Sequence, residues 1–325
     1  MMIVGIESTA HTFGIGVVKN GKILANVRNA YTTESGGIIP FEAAKHHREI
    51  SDEVLAKALV DAGISLKDVE GIAFSQGPGL APCLKIGMEF AKKLAKENSI
   101  PLIPVNHCVA HLEIGKITGA KDPVLLYASG ANTQIIAYAG GKYRIFGETL
   151  DNGVGNFIDG FARYLGLGFP GGPKIAELAE KGKNYIELPY AIKGMDVSFS
   201  GMQTKLKQLY DKKGNINDLA FSLQETTFAM LVEASERALA HVGKNELVIG
   251  GGVGCNKRLQ EMCKIMCKER DCKFFAPSND LLVDNGAMIA YLGEIIFKKG
   301  IVEKNLDKID FLPRQRTDEV DVKWK

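Results

Sequence analysis

The sequence predicts an α/β protein made of two similar halves, and three observations support this prediction. The chain has 325 residues, which is enough for two domains of ordinary size. One series of short apolar runs and glycine turns occurs twice, with a constant offset of 120 residues. Strand-like and helix-like segments alternate after each copy, which is typical of a sheet covered by helices. We therefore expect two halves that face each other across a cleft.

The repeat can be followed without a gap. Each copy contains an apolar run, a turn of small residues, a second apolar run, a Gly-Lys turn and a third run, which predicts consecutive hairpins. The first copy comprises residues 6–10, 14–18 and 20–23, and the second comprises 126–130, 134–138 and 140–143. The repeat indicates a duplicated domain, and a chance match between two glycine-rich meanders is the alternative.

Helix and strand signals predict the elements that follow each copy. Pro40 suits the first turn of a helix and Gly63 its end. The first half is predicted to contain helix 41–62, strand 71–75, helix 83–97, strand 101–105 and helix 106–117. The second half is predicted to contain helix 219–242, strand 246–249, a glycine run and helix 287–297. We expect the halves to be 1–119 and 120–298, with about 299–325 packing back on the first.

The composition excludes several classes of protein. Hydrophobic residues make up 46% of the chain and charged residues 24%, as in a soluble protein with a full-sized core. No run approaches the roughly 18 to 20 apolar residues of a membrane span, so we expect a cytoplasmic, non-secreted protein. The six cysteines form no Cys-x-x-Cys pair and are expected to be free thiols. The net charge of +2 gives no general attraction for nucleic acid, so RNA binding would need a local patch or partners.

The sharpest candidate site is the pair His107 and His111. Residues four apart on a helix project from one face, so the two imidazoles can share a metal ion. Two unrelated helix histidines are the alternative reading. Cys108 stands where a zinc protease of the His-Glu-x-x-His type needs a glutamate, so the sequence disfavours that chemistry.

Three glycine-rich segments are candidate nucleotide sites. Residues 129–133 form a turn between two predicted strands, 168–173 form a loop, and 250–254 follow a strand and precede Asn256 at a predicted helix start. Each is also explained as a structural turn, but together on a duplicated scaffold they favour a nucleotide in the cleft. Asp284 is either the cap of the helix that follows it or a functional carboxylate, and Asp151 and Asp159 are ambiguous in the same way.

Eight segments in this order resemble one protein family, the universal tRNA threonylcarbamoyladenosine synthases, once called O-sialoglycoprotein endopeptidases, in their archaeal and eukaryotic branch. The segments are GIESTAHT (5–12), HH (46–47), SQGPG (75–79), NHCVAH (106–111), SGANTQ (129–134), GFPGGP (168–173), SFSG (198–201) and DNGAMIA (284–290). The resemblance covers essentially the whole chain, and the ordered set is far more specific than any one motif.

The resemblance implies a fold and a reaction. The fold is the duplicated actin-like and Hsp70-like ATPase fold, which agrees with the repeat. The reaction transfers a threonylcarbamoyl group from threonylcarbamoyl-AMP to the exocyclic amine of the adenine at position 37, next to the anticodon, of tRNAs that read ANN codons, and releases AMP. The implied partners are tRNA, a Bud-type small kinase and the other KEOPS subunits, with no membrane.

The resemblance also implies site residues. His107, His111 and Asp284 would be ligands of one divalent or ferric metal ion, iron or zinc, with Tyr127 near or on the metal. The adenine nucleotide or threonylcarbamoyl-AMP would be held by Tyr127, Ala128, Ser129, Gly130, Ala131, Asp159, Gly172 and Asn256. His46 and His47 are candidates for a general base by motif only, and a role on the helix surface is equally consistent with the sequence.

Two positions depart from the family pattern. Ala176 stands where archaeal relatives usually carry glutamate, with Glu177 next to it, and Lys257 replaces the second residue of a common Asn-Asn pair. One nucleotide contact is therefore not carried over.

Two other classes of protein stay open. A kinase or ATPase on the same fold would need acidic residues beside both phosphate turns, whereas the repeat pairs Glu7 with Tyr127. The other class is a metal-dependent nucleic-acid-binding scaffold. A pure scaffold or RNA-binding module would not require His107, His111 and Asp284.

Overall fold

The structure, a computed structural model, describes residues 1–33 and 37–325. Its first half starts with an antiparallel meander and continues with strands that alternate with helices. The elements are β1 (Met2–Glu7), β2 (Thr12–Lys19), β3 (Lys22–Ala30), α1 (Pro40–Ala62), β4 (Gly71–Gly77), α2 (Ala81–Asn98), β5 (Leu102–Asn106) and α3 (His107–Gly115). The five strands form one mixed sheet in the order β3-β2-β1-β4-β5.

The second half repeats this plan with extra helices inserted after its meander. The elements are β6 (Val124–Ala128), β7 (Thr133–Ala139), β8 (Lys142–Glu148), α4 (Val154–Tyr164), α5 (Gly172–Ala179), β9 (Ile192–Lys193), β10 (Asp196–Val197), α6 (Ser200–Asp211), α7 (Ile216–Val242), β11 (Glu246–Gly250), α8 (Lys257–Glu269), β12 (Lys273–Phe275), α9 (Asn279–Leu282) and α10 (Gly286–Phe297). The main sheet has the order β12-β11-β6-β7-β8, and β9 pairs with β10 apart from it.

The two main sheets have the same topology. In each, the first strand pairs antiparallel with the second and parallel with a strand that follows a helix. Both first strands, β1 and β6, are buried along their whole length, as expected for central strands covered on both faces. The duplication predicted from the repeat is confirmed.

Local signals set most element ends where the sequence predicts them. Pro40 is the first residue of α1, and Gly63 ends that helix in the left-handed region at φ 65°. Side chains of Asn106 and Asn256 accept hydrogen bonds from the first turns of α3 and α8. α3 is shorter than the predicted helix 106–117, because a turn of 3-10 helix follows Gly115.

α10 packs against the first sheet, although the predicted division assigns its residues to the second half. Glycines make this close contact possible: a Cβ added to Gly16 would lie 2.2 Å from the backbone nitrogen of Ala287, and one added to Gly5 would lie 2.2 Å from that of Ala290. The chain therefore returns to the first half at α10. The division at residue 119 stays a prediction.

The segment 299–325 contacts both sheets. Glu303 exchanges two backbone hydrogen bonds with Leu102 in the first half, at 3.0 and 2.9 Å. Further along, Arg316 lies 3.4 Å from Glu148, and the ring of Trp324 packs against Tyr143, both in the second half. The segment thus links the halves.

Two expectations about the chain as a whole can be compared with the structure. All six cysteines are free thiols, as predicted. Among the helices of residues 1–33 and 37–325, none combines the length and apolar character that crossing a membrane requires.

Candidate functional site

The two predicted histidines lie together on α3, directly after β5. The Asn106 side chain accepts a hydrogen bond from the backbone nitrogen of Val109 at 3.0 Å, which fixes the start of this helix. The rings of His107 and His111 are buried and stand edge-on to each other at a centroid distance of 4.8 Å. The spacing in the sequence therefore does bring both imidazoles to one place.

Asp284 completes this group from the segment between α9 and α10. Its Oδ1 lies 3.4 Å from Nε2 of His107 and 3.4 Å from Nε2 of His111. The cap of α10 is the next residue, Asn285, whose side chain accepts from the backbone nitrogen of Met288 at 2.9 Å. The reading of Asp284 as the cap is therefore wrong, and its carboxylate is free to face the histidines.

Two further residues contact the ring of His107 from opposite sides. The hydroxyl of Tyr127 lies 2.9 Å from Nε2, and Oε2 of Glu7 lies 2.9 Å from Nδ1. Glu7 is fully buried, and its other oxygen accepts from the Thr9 hydroxyl at 2.5 Å. The sequence reading missed the contact of Glu7 with His107. The repeat could have indicated it, because Glu7 and Tyr127 occupy equivalent positions.

Burial and charge act against each other in this cluster. Burial lowers the pKa of His111. Burial acts in the same direction on His107, but Tyr127 and the carboxylates of Glu7 and Asp284 outweigh it, and the pKa of His107 lies well above its usual value. Because burial raises the pKa of Tyr127, its phenol is neutral near pH 7, and the two carboxylates supply the negative charge. Burial would raise the pKa of Asp284, but His107 and His111 hold it well below its usual range.

The donor atoms of this cluster fit a metal ion. One ligand atom each from His107, His111 and Asp284 can be chosen so that all lie within 4.8 Å of one another. With one proton on Nδ1 donated to Glu7, a cation on the side of Asp284 can replace the other proton of His107, on Nε2. Imidazole and carboxylate donors suit zinc or iron. The residues therefore fit the metal that the family resemblance implies.

A cleft of about 1900 Å³ lies between the halves and contains this cluster at its wall. His107, Tyr127 and Asp284 line the cleft. It is also lined by most of the residues that the resemblance assigns to the nucleotide, namely Ser129, Gly130, Ala131, Asp159, Gly172 and Asn256. Ala128 is fully buried behind the turn that follows it. The predicted metal and nucleotide residues thus share one cleft.

Two of the predicted nucleotide residues, Asp159 and Asn256, are held by local hydrogen bonds. Oδ1 of Asp159 accepts from the backbone nitrogens of Gly171 and Gly172 at 2.7 and 3.2 Å, and burial raises the pKa of this carboxyl. The side chain of Asn256 accepts from the backbone nitrogen of Arg258 at 2.8 Å and donates to Gln224 at 2.9 Å. These contacts fix the start of α5 and of α8 at the cleft.

His46 and His47 lie on α1 and are not part of the metal cluster. His47 is fully buried, and its Nε2 donates to the carbonyl of Ala10 at 3.0 Å. Burial lowers the pKa of His47 to about 4. A different histidine, His11, lines the cleft and stands edge-on to Phe169 at a centroid distance of 5.4 Å. His11 lies within one of the family motifs, but no local pattern distinguishes it from the other residues of that motif.

Ala176 also lines the cleft, on α5. The neighbouring acid, Glu177, is exposed, whereas Glu180, four residues after Ala176, is a lining residue of the same cleft. Glu180 therefore places a carboxylate on this side of the cleft, at a position that the sequence analysis does not single out.

Two duplicated sheets around a cleft with candidate nucleotide and metal residues define an actin-like ATPase-type fold. Solved structures support this class. HypF in the phosphate- and nucleotide-bound form has a TM-score of 0.63 at 11% identity, over 91% of this chain and 55% of that one. The activator of the 2-hydroxyisocaproyl-CoA dehydratase from Clostridium difficile with bound ADPNP has a TM-score of 0.55 at 12% identity, over 93% and 98%. The predicted fold class is confirmed.

The chain belongs to the TsaD family, described as tRNA N6-adenosine threonylcarbamoyltransferase, whose model matches residues 22–291. A relative of that name from Thermococcus kodakarensis is 56% identical over the full length of both chains. Another from Archaeoglobus fulgidus is 49% identical, also over both full lengths. A probable bifunctional tRNA threonylcarbamoyladenosine biosynthesis protein from Methanosarcina mazei is 51% identical over 99% of this chain and 59% of that protein. The family predicted from the eight motifs is confirmed.

Proposed function

We propose that this protein transfers the threonylcarbamoyl group of threonylcarbamoyl-AMP to the N6 amine of adenine 37 in tRNAs that read ANN codons. The observation that carries the proposal is that one cleft is lined by the turn 129–131 and by His107 and Asp284, with His111 buried beside these two. Membership of the TsaD family and full-length identity of 49–56% to transferases support the reaction.

The proposed reaction needs no reactant other than threonylcarbamoyl-AMP and the tRNA. The amine nitrogen attacks the carbonyl carbon of the donor, a C–N bond forms, the C–O bond to the phosphate breaks, and AMP leaves with the electron pair while the amine loses a proton. An amine conjugated with adenine is a poor nucleophile, so holding both reactants at attack distance is expected to supply much of the acceleration. The small residues of the turn 129–131 and the fixed starts of α5 and α8 would bind and orient the adenylate.

We assign the metal to His107, His111 and Asp284, with Tyr127 beside it. A bound iron or zinc ion would supply Lewis-acid polarisation of a phosphate or carbonyl oxygen of the donor. Glu7 holds the tautomer of His107 through Nδ1, and the hydroxyl of Tyr127 lies at Nε2.

Three finer assignments complete the proposal. We expect a cytoplasmic location, where tRNA is available and where six free thiols stay reduced. We expect a small Bud-type kinase and other KEOPS subunits as partners. The relative from Methanosarcina mazei supports a partner of this pathway, since it is named bifunctional and extends beyond the region that matches this chain.

A rival phosphotransfer reaction is disfavoured by the residues of the two turns. A kinase or ATPase on this fold would use acidic side chains beside the phosphates to hold magnesium. Here both oxygens of Glu7 already have partners, His107 and Thr9. The equivalent residue before the second turn is Tyr127, which has no carboxylate to offer magnesium.

A transfer assay tests the proposal. The purified protein, with its partner proteins, is incubated with labelled threonylcarbamoyl-AMP and unmodified tRNA. We expect label in tRNA and one AMP released per group transferred, and no label in a tRNA with guanine at position 37. Hydrolysis of ATP without any labelled tRNA would contradict the proposal and favour the ATPase reading.

A further inference from the structure

A basic ridge lies beside the cleft and is formed by α6, the residues just after it and the end of α4. Residues 200–214 contain four lysines and one aspartate, a net charge of +3, whereas the whole chain carries only +2. We call this surface the α6 ridge and define it by seven side chains, Arg163, Tyr164, Lys205, Lys207, Tyr210, Lys212 and Lys213. The ridge is therefore a local basic surface on a chain that is nearly neutral overall.

The α6 ridge is fixed along α4 at both ends. Before α6, the carboxylate of Asp151 accepts from the backbone nitrogens of Phe199 and Ser200 at 3.0 and 2.8 Å. At its other end, the hydroxyl of Tyr164 on α4 donates to Asp211 at 2.7 Å. The surface is thus held in place before any ligand binds, which lowers the entropic cost of binding.

Residues that line the cleft lie beside both ends of α6. Asn152, next to Asp151, lines the cleft, and so does Arg163, next to Tyr164. A molecule that lies along α6 can therefore place one group in the cleft while the rest of it stays on the surface.

The cations of the ridge are available for a ligand. Lys205, Lys212 and Lys213 are exposed, and in the part of the chain that the structure describes no lysine of α6 forms a salt bridge. Tyr164 is 41% exposed and packs edge-on against Tyr210 at 6.0 Å, with the ammonium group of Lys207 at 5.1 Å from its ring centroid. Exposed lysines around a fixed aromatic ring are typical of surfaces that bind single-stranded or looped nucleic acid.

We propose that the α6 ridge binds the phosphate backbone of the substrate tRNA while the reacting adenosine enters the cleft, an inference that rests on the proposed function. RNA is favoured over an acidic protein because lysine is depleted in protein–protein interfaces, whereas lysine contacts to phosphates release bound counterions. The ridge supplies the local patch that a chain with a net charge of +2 needs for binding RNA.

The test removes two exposed lysines from one face of the ridge and compares a matched pair elsewhere. Lys205→Gln, Lys212→Gln is the test variant, and Lys264→Gln, Lys268→Gln on exposed positions of α8 is the control, with the same change in charge. Binding of unmodified tRNA to the full chain is measured at several salt concentrations, and transfer is measured with partner proteins present.

We expect the test variant to lower the slope of log affinity against log salt by about 2, roughly one per lost phosphate contact. The KM for tRNA is expected to rise severalfold, with unchanged kcat at saturating tRNA and unchanged KM for threonylcarbamoyl-AMP. The control variant is expected to behave as wild type, and both variants are expected to keep the wild-type Tm.

Two results would overturn the assignment of the ridge to tRNA. One is an equal salt slope and an equal KM for tRNA in the test and control variants. The other is unchanged binding of tRNA by the chain alone with a defect that appears only when partner proteins are present, which would make the ridge a protein interface. In either case wild-type transfer stays intact, whereas failure of the proposed function would show as no transfer by wild type.

Discussion

The turns that follow β1 and β6 occupy the same place in two copies of one fold, yet they carry different residues. The position before the first turn is Glu7, and the position before the second is Tyr127. Both side chains contact the ring of His107, Glu7 at Nδ1 and Tyr127 at Nε2. The duplication brought two equivalent positions to one imidazole. Their divergence placed a carboxylate at Nδ1 of this ring and a phenol at Nε2, the nitrogen on the side of Asp284.

The residues within the two turns differ in size. Thr9, Ala10 and His11 of the first turn correspond to Ser129, Gly130 and Ala131 of the second. The smaller residues of the second turn allow a closer approach of a ligand to the backbone, whereas His11 reaches across the cleft to Phe169. We infer that the second turn is the nucleotide side of the cleft and the first turn the opposite wall.

The largest expected effect comes from removing His107, which residues of both turns contact, or its neighbour His111. His107→Ala or His111→Ala is predicted to lower metal content sharply and to lower transfer with it, because each removes a nitrogen donor of the cluster. The fold is expected to persist, since Val109 and Leu112 still pack in the core. Elemental analysis of the purified variants measures this, and full metal occupancy in the double variant would disprove the metal assignment.

The metal side and the nucleotide side are expected to fail in different ways. Asp284→Ala is predicted to remove transfer even at saturating donor, whereas Asn256→Ala is predicted mainly to raise the KM for the donor. Asn256→Ser separates binding from folding, because serine can still cap α8. Steady-state kinetics with threonylcarbamoyl-AMP measures both effects. Equal loss in both alanine variants that no donor concentration rescues would argue against separate roles.

Glu7→Gln tests the first turn alone. Loss of the carboxylate behind a metal-binding imidazole typically weakens metal affinity by about 10–100-fold, and we predict an effect in this range. Glu113→Gln is the matched control, because Glu113 is also a buried carboxylate, on α3 itself, but accepts from Tyr143 and Lys116 instead. Competition with a metal chelator measures the affinity. If both variants lower the metal affinity equally, Glu7 acts through the stability of α3 and not through its contact with His107.

The smallest expected effect concerns His47, in the helix beside the first turn. The pKa of His47 is about 4 in the folded protein, whereas a histidine in the unfolded chain has an ordinary pKa near 6.5. Between these two pH values the unfolded chain therefore binds more protons than the folded protein. Stability is therefore predicted to fall as pH falls from about 6.5 towards 4, by about 2 kcal/mol from this site between pH 7 and 5. In His47→Gln this part of the pH dependence disappears, whereas exposed His241→Gln keeps it. Urea unfolding at the two pH values measures it, and an unchanged difference in His47→Gln would contradict the prediction.

The sequence predicts the parts of this molecule that depend on neighbouring residues. Pro40, Gly63 and Asn256 act on the backbone within one turn, so α1 and α8 begin or end where these signals lie. The pair of histidines is also a local pattern, since one helix carries both.

Other parts depend on contacts that no local pattern encodes. The contact of Glu7 with His107 joins residues 100 positions apart, and the docking of α10 on the first sheet depends on space that Gly16 leaves for Ala287. The burial of His47 was equally hidden, because an adjacent pair of histidines on a helix gives no sign of which one faces the core.

The division of roles between the two turns is tested most directly by the visible spectrum of iron-loaded protein. Burial raises the pKa of Tyr127, so its phenolate forms only when a bound cation replaces the proton. Ferric iron bound to phenolate absorbs visible light. At equal iron content, wild type and Glu7→Gln are predicted to be coloured, and Tyr127→Phe is predicted to be colourless. Identical spectra of wild type and Tyr127→Phe, at equal iron content, would contradict the placement of Tyr127 on the metal.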